Sequence, residues 1–346
     1  MDKKKALRLG FLFVFLFTIP GSAIAGGLIP AKYAGEFMAT GVGARALGMG
    51  GAFVAEARDV TAGYWNPAGL SALNYPQIIG MYAERFSGIV NYNYGAVAIP
   101  FRSDQSLGIS LIRLGVDDIP VTALRNPRFQ LGETYVDKNG VLVRNTPQVV
   151  RKINDAEYAL YLTYSKRRSD QFAYGGNVKL VRKGVGDNSA WGIGFDVGVL
   201  YRPWRELSLG ANFQDFTSTL LAWDTGRREL ITPTLKAGLS YPVAVSFLSG
   251  TFTPVADVDT RFENRRFASQ VHLGRVSMDF HFGLEYEFRK IAAIRLGSDA
   301  GYLAAGAGLR LPKLQLDYAF LSHDELGDTH RISLKLTIEE ERFARR

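Results

Sequence analysis

The residues best suited to acid–base or metal chemistry in this chain are its four histidines, His272, His281, His323 and His330. They show neither metal-ligand spacing nor the order of a nucleophilic triad. The chain has no cysteine, which removes thiol nucleophiles and disulfides. His281 shares an alternating face with Asp279 and Glu285, a grouping that suits a wetted interior better than catalysis. The glycine runs at Gly48–Gly51 and Gly306–Gly308 lack the Gly-Lys-Ser/Thr that completes a phosphate loop. Gly41-Val42-Gly43 does not follow a strand or open a helix with the dinucleotide-binding spacing. The expectation is therefore no catalytic residue, no metal and no cofactor. An enzyme whose groups gather only in space stays as a third class.

Charge and the chain start say where the protein goes. The net charge is +8, and the basic residues are scattered without a dense patch, which argues against nucleic acid and leaves acidic lipid head groups as partners. Lys3, Lys4, Lys5 and Arg8 precede an apolar run from Leu9 to Ile19 and a small-residue end at Ala23-Ile24-Ala25. This predicts a cleaved export signal over 1–25, with cleavage before Gly26. No later run of 18 apolar residues exists to make a spanning helix.

Between the signal and the strands lies Gly43 to Leu70. Its glycines, Gly43, Gly48, Gly50, Gly51, Gly63 and Gly69, alternate with Leu47, Met49, Phe53, Val54, Tyr64 and Trp65. The stretch is too glycine-rich for a membrane strand and too apolar for a solvated linker, so it is expected to be buried inside something.

From Gln77 to Ile338 the period is two. Trp191, Ile193, Phe195, Val197, Val199 and Tyr201 face one way, with Gly192, Gly194, Asp196, Gly198 and Leu200 on the other side. Met278 to Phe288, Leu314 to Phe320 and Ile332 to Ile338 repeat the pattern. Fourteen such runs are predicted: 77–86, 91–101, 106–116, 156–166, 171–183, 191–202, 206–216, 233–241, 246–258, 276–288, 291–299, 302–311, 313–321 and 329–338. Short and long connections mostly alternate, the long ones being 117–155, 217–232 and 259–275. An even count of tilted strands of about ten residues, short turns at one end and longer loops at the other describes an all-β, antiparallel transmembrane barrel. Lys179, Asp196, Glu285, Glu287, Arg295, Arg310, Asp317, Arg331 and Lys335 then face the lumen. A one-residue slip would turn each strand's charges toward lipid, at about 2 to 4 kcal/mol for each basic residue at the midplane.

The residues Ala44-Arg45-Ala46-Leu47-Gly48-Met49-Gly50-Gly51-Ala52-Phe53 and Tyr64-Trp65-Asn66-Pro67-Ala68-Gly69-Leu70 resemble the N-terminal signature of PorV/PorQ proteins, within the FadL-type fatty-acid transporter superfamily. Downstream, Gly283-Leu284-Glu285-Tyr286, Arg295-Leu296-Gly297, Gly306-Ala307-Gly308-Leu309, Leu316-Asp317-Tyr318-Ala319 and Leu326-Gly327-Asp328-Thr329-His330-Arg331 are similar to the closing strands of that family. The resemblance implies a fourteen-stranded outer-membrane barrel over 76–338, an N-terminal hatch over 26–75 plugging its lumen, and a charged tail over 339–346. Arg45, Gly48, Met49, Gly50, Gly51, Asn66, Pro67, Ala68 and Gly69 become the candidate hatch motif, which either shapes the plug or gates a ligand. Asn66-Pro67-Ala68-Gly69 reads as its turn, because proline fixes φ and pushes the preceding asparagine out of the helical region.

Two functions follow from the resemblance. A PorV-like protein would assist type IX secretion, binding secreted proteins through a C-terminal sorting domain and passing them to surface attachment. A FadL-like protein would instead bind a hydrophobic small molecule and release it sideways through a gap in the wall, with Gly108, Gly115 and Pro254 as the places where a strand could bulge or kink. The segment 117–155 reads as a lid, a docking surface or a plain loop. Both mature termini are expected on the periplasmic side, and Phe343 or a solvated charged end closes the chain.

Overall fold

The computed structural model describes residues 29–30, 34–85, 88–263, 265, 268–322 and 327–345. The expected signal, its cleavage point and His323 lie outside them. Fourteen wall strands follow one another around a closed antiparallel barrel. They are β1 (Gln77–Arg85), β2 (Val90–Arg102), β3 (Gln105–Leu124), β4 (Pro147–Arg167), β5 (Phe172–Val185), β6 (Asn188–Tyr201) and β7 (Ser208–Gln214). Then come β8 (Thr234–Ser240), β9 (Gly250–Arg261), β10 (Val276–Phe288), β11 (Ala292–Asp299), β12 (Tyr302–Leu311), β13 (Leu314–Leu321) and β14 (Thr329–Thr337). Closure is made by β1, which pairs with β2 on one side and β14 on the other. A closed sheet leaves no unpaired edge for lipid to face. Among the described residues no helix is long and apolar enough to cross a membrane.

The alternation sorts side chains as expected. Trp191, Ile193, Val197 and Tyr201 stand exposed on the outer face, while Asp196 and Leu200 are buried. Lys179, Glu285, Arg295, Asp317 and Arg331 are all buried in the interior. The apolar outer face and charged inner face therefore fix a single register.

The long connections differ from the expectation in an instructive way. Much of 117–155 is not loop, because β3 and β4 stay paired out to Leu124 and Pro147, with register shifts near Val116 and Val121. A small sheet of Thr134–Val136 and Leu142–Arg144 tops this ribbon. The first residues of β4, Pro147–Lys152, are exposed one after another. Water on both faces removes the period-two signal by which a strand is read. Likewise β7 is continued by Thr219–Trp223 and β8 is preceded by Arg228–Ile231, a hairpin inside the gap 217–232. The ninth run starts later than expected, since Ser246–Leu248 forms a 3-10 turn before β9. Gly108, Gly115 and Pro254 occupy unbroken ladder positions opposite Ala98, Asn91 and Leu284. The wall is interrupted instead at 215–218, where Asp215 and Ser218 take positive φ between the two halves of the seventh strand.

Residues 34–75 fill the lumen as the hatch. They hold short helices α1 (Glu36–Ala39), α2 (Ala44–Gly48) and α3 (Ala62–Trp65), then a 3-10 turn at Pro67–Ala72. The backbone of Ile29–Pro30 runs parallel to Glu229 and Leu230, beside the long-loop end. Asn74, at the other end of the hatch, accepts from Arg345 N of the tail at 2.8 Å. The hatch thus crosses the barrel from end to end. An even strand count returns β14 to the level where β1 begins, but the described chain starts at the opposite end because this crossing precedes β1. The tail is not simply solvated: Arg345 also donates to Leu73 O at 2.6 Å and to Ser106 Oγ at 2.7 Å, while Phe343 stays substantially exposed.

Candidate gate: the hatch and its seam with the wall

The hatch has its own apolar centre. Trp65 packs edge-on against Tyr64 and Phe53, with ring centroids 4.9 and 6.1 Å apart, and its indole N–H donates to Val42 O at 2.9 Å. Tyr64 donates to Met38 O at 2.6 Å and accepts from Gly41 N at 3.2 Å, which ties α1 to α3. A tyrosine this deep holds its proton, since burial raises its pKa well above the ordinary phenol value.

The nine residues of the candidate motif divide between two places on the wall. Arg45, Gly48, Met49, Gly50 and Gly51 lie against β10, β11 and β12. Arg45 Nη2 reaches Glu285 at 2.7 Å and Glu56 at 3.1 Å. Burial opposes the charge on Arg45, but Glu285, backed by Glu56 and Asp59, outweighs it and raises the pKa well above the usual guanidinium value. Gly48 comes so near Gly306 that a Cβ on either would lie 3.1 Å from the other's Cα, and a Cβ on Gly283 would fall 2.5 Å from Met49 O. Gly50 and Gly51 turn the chain with φ of 65° and 76°, and Gly50 O meets His281 Nδ1 at 3.0 Å. The glycines of the hatch and those of the closing strands therefore face one another.

Asn66, Pro67, Ala68 and Gly69 lie against β4, β5 and β6. Asn66 adopts an extended φ of −161° before proline and caps the 3-10 turn by accepting from Ala68 N. Its amide donates to Val54 O and Val199 O, both at 3.0 Å. Ser165 donates to Ala68 O at 2.7 Å and accepts from Ser71 N at 3.0 Å.

Alternation placed charges inside without pairing them. Arg295 bridges Glu285 at 2.6 Å and Asp317 at 2.9 Å. Lys179 is held by Asp196 at 2.8 Å and Asp215 at 2.7 Å, directly behind the interrupted wall. Lys236 pairs with Asp259, and His281 sits between Asp259 and Asp299 rather than in open water. Two hatch anchors escaped sequence reading. Asp257 accepts from Phe53 N at 2.6 Å and Val54 N at 2.8 Å, and Asp59 meets Lys335 Nζ at 2.7 Å. The inward acidic pair Asp257 and Asp259, the two acids of that strand, was the available signal for the first. Nothing local marks Asp59.

At the long-loop end a cavity of about 560 Å³ opens between the hatch and the wall. Arg85, Lys183, Arg261, Arg331, Asp299 and Thr40 are among its lining residues.

No protein-family model and no curated protein matches the chain. Among solved structures it is similar to the Pseudomonas putida toluene transporter TodX, with TM-score 0.56 at 12% identity, covering 87% of this chain and 99% of that one. It is also similar to the Ralstonia pickettii toluene transporter TbuX, with TM-score 0.52 at 12% identity, covering 86% and 97%. The likeness is one of fold. It agrees with the barrel and hatch that the FadL-type resemblance implies.

Proposed function

We propose that this protein is an outer-membrane conduit that binds a hydrophobic small molecule and passes it across the membrane, with the hatch as its gate. The observation that carries this reading is the chemistry of the seam. The hatch packs apolar residues such as Tyr64 and Leu70 against inner-wall residues such as Tyr161 and Ile112, and it is tied to the wall by exchangeable polar contacts: Arg45 with Glu285, Asp59 with Lys335, Asp257 with two backbone N–H groups, and Asn212 with Trp65 O. Water can replace such contacts one by one, so the hatch can move as a unit without unfolding. The fold shared with two toluene transporters supports the same reading. On this reading the motif from Arg45 to Gly51 and from Asn66 to Gly69 seats the gate, and the interruption at 215–218 is a candidate side exit. The export signal and the apolar belt make outer-membrane lipids its surroundings, with the short turns facing the periplasm.

The test is uptake of a labelled monoaromatic hydrocarbon by cells with and without the gene. Equal uptake would remove the conduit reading.

The type IX secretion reading implied by the PorV/PorQ resemblance has one favourable observation, the ribbon of β3 and β4 that rises beyond the wall with Val149 and Val150 exposed. It suits a protein partner with a C-terminal sorting domain. A surface proteome unchanged by gene deletion would rule it out.

A further inference from the structure

Arg331 is the odd charge in this barrel. It sits on β14 with only 2% of its surface exposed, yet no carboxylate among the described residues lies within ion-pair distance of its guanidinium, and its Nε has no hydrogen-bond partner. Other interior cations are held by acids: Arg45 and Arg295 by Glu285, Lys179 by two aspartates, Lys236 by Asp259 and Lys335 by Asp59. Asp299, the acid whose charge Arg331 feels, is bound by His281 at 3.1 Å.

The neighbours of Arg331 make room for something. Its ladder partners are Ala83 of β1 and Ala319 of β13, both small and fully buried. Across Ala83 stands Tyr92 of β2, fully buried with a hydroxyl that has no hydrogen-bond partner. Two residues beyond Ala83 on the same inner face is Arg85, whose Nη1 donates to Thr40 Oγ1 of the hatch at 3.0 Å. Arg85, Thr40 and Arg331 all line the cavity of about 560 Å³. A guanidinium buried as deeply as that of Arg331 is unfavourable unless a negative group joins it.

We infer that Arg331 and Arg85, with the Tyr92 hydroxyl, form a binding site for an oxyanion, a phosphate, sulfate or carboxylate group, at the seam between hatch and wall. The guanidinium fork gives two parallel N–H donors to such a group, and the phenol supplies a third donor from the side. An anion seated there would link β14 to β1 and, through Arg85 and Thr40, to the hatch. The acids that share the cavity do not compete for the site, because Glu36 is taken by Arg261 and Arg265, Glu157 by Lys183, Asp259 by Lys236, Asp279 by Arg265 and Asp299 by His281. The inference stands apart from the conduit reading, since an anion can occupy the site whether or not anything is transported.

The test is a titration of the detergent-solubilised protein with inorganic sulfate at constant ionic strength, chloride making up the difference, read as the thermal unfolding midpoint. The expected result is a saturable rise in the wild type. Arg331→Met should weaken apparent affinity at least about tenfold, and in sulfate-free buffer it should unfold no earlier than wild type because an uncompensated buried charge has gone. Tyr92→Phe, which keeps shape and charge, should weaken binding less. A second arm uses decyl phosphate below its micelle concentration. Tighter binding than sulfate identifies the anion as the head group of an amphiphile, and equal binding identifies a free ion. No saturable response to either probe in the wild type overturns the proposal. So does an unchanged response in both variants.

Discussion

Arg45 and Glu285, 240 residues apart in the chain, meet at two points, Nε to Oε2 at 2.9 Å and Nη2 to Oε1 at 2.7 Å. This pair joins α2 of the hatch to β10 of the wall, and Arg295 holds the same carboxylate from the wall side.

Glu285→Gln should loosen the hatch without opening the barrel wall. It leaves Arg45 and Arg295 facing a neutral amide, a loss on the order of 3 kcal/mol for a buried pair, or roughly a hundredfold more undocked hatch. Conductance across a planar bilayer reads this directly. Wild-type-like silence from the variant would mean that the pair does not hold the gate.

Acid should release the hatch through Asp59. Burial pushes this carboxyl up, but the charge and hydrogen bond of Lys335, the Thr61 hydroxyl and Arg45 overcome burial and hold it well below the ordinary aspartate range. A carboxyl with a lowered folded pKa gives its full stabilisation above the unfolded value, about 3.9, and surrenders it as pH falls through the folded value. Conductance should therefore stay flat from neutral pH to about pH 5 and rise below about pH 4. Asp59→Asn should remove much of that rise, and an identical acid limb in the variant would contradict the assignment.

The close approach of Pro67 to the wall predicts a contrast between two glycines. A Cβ on Gly175 would fall 2.6 Å from the Pro67 carbonyl carbon, whereas one on Gly80 of the outer face meets nothing within 4 Å. Gly175→Ala should cost about 1 to 3 kcal/mol of hatch docking by overpacking, and Gly80→Ala should be neutral. Equal protease resistance of the hatch in the two variants would refute the contact.

The tail closes the short-turn end. Arg345 reaches Leu73 O, Arg102 O, Gln105 O and Ser106 Oγ, while the last wall strand ends at Thr337. Truncation after Ile338 should leave a folded barrel and speed amide exchange at Leu73 and Asn74. Unchanged exchange there would show that the tail holds nothing.

Strand count, inner and outer faces and the presence of a plug were legible in the sequence because each is a local property. A strand between lipid and lumen must alternate, so Trp191 to Tyr201 and Met278 to Phe288 declared their faces residue by residue. The glycine-rich stretch from Gly43 to Leu70 declared only that it must be buried. The upper parts of β3 and β4 were not legible, since water on both sides of Pro147–Lys152 leaves no alternation to read.

Pairing was left to the tertiary structure. The sequence put Lys179, Asp196, Glu285, Arg295, Asp317, Arg331 and Lys335 inside, but an inward charge carries no mark of the partner it will find. That depends on barrel register and on how deep each turn of the hatch comes to rest. Only with the hatch in place does Arg45 reach Glu285 and Asp59 reach Lys335, while among the described residues no carboxylate comes within ion-pair distance of Arg331. The period of a strand is set by bonds between neighbours, whereas the partners of Arg45 and Asp59 come from chain segments 240 and 276 residues away.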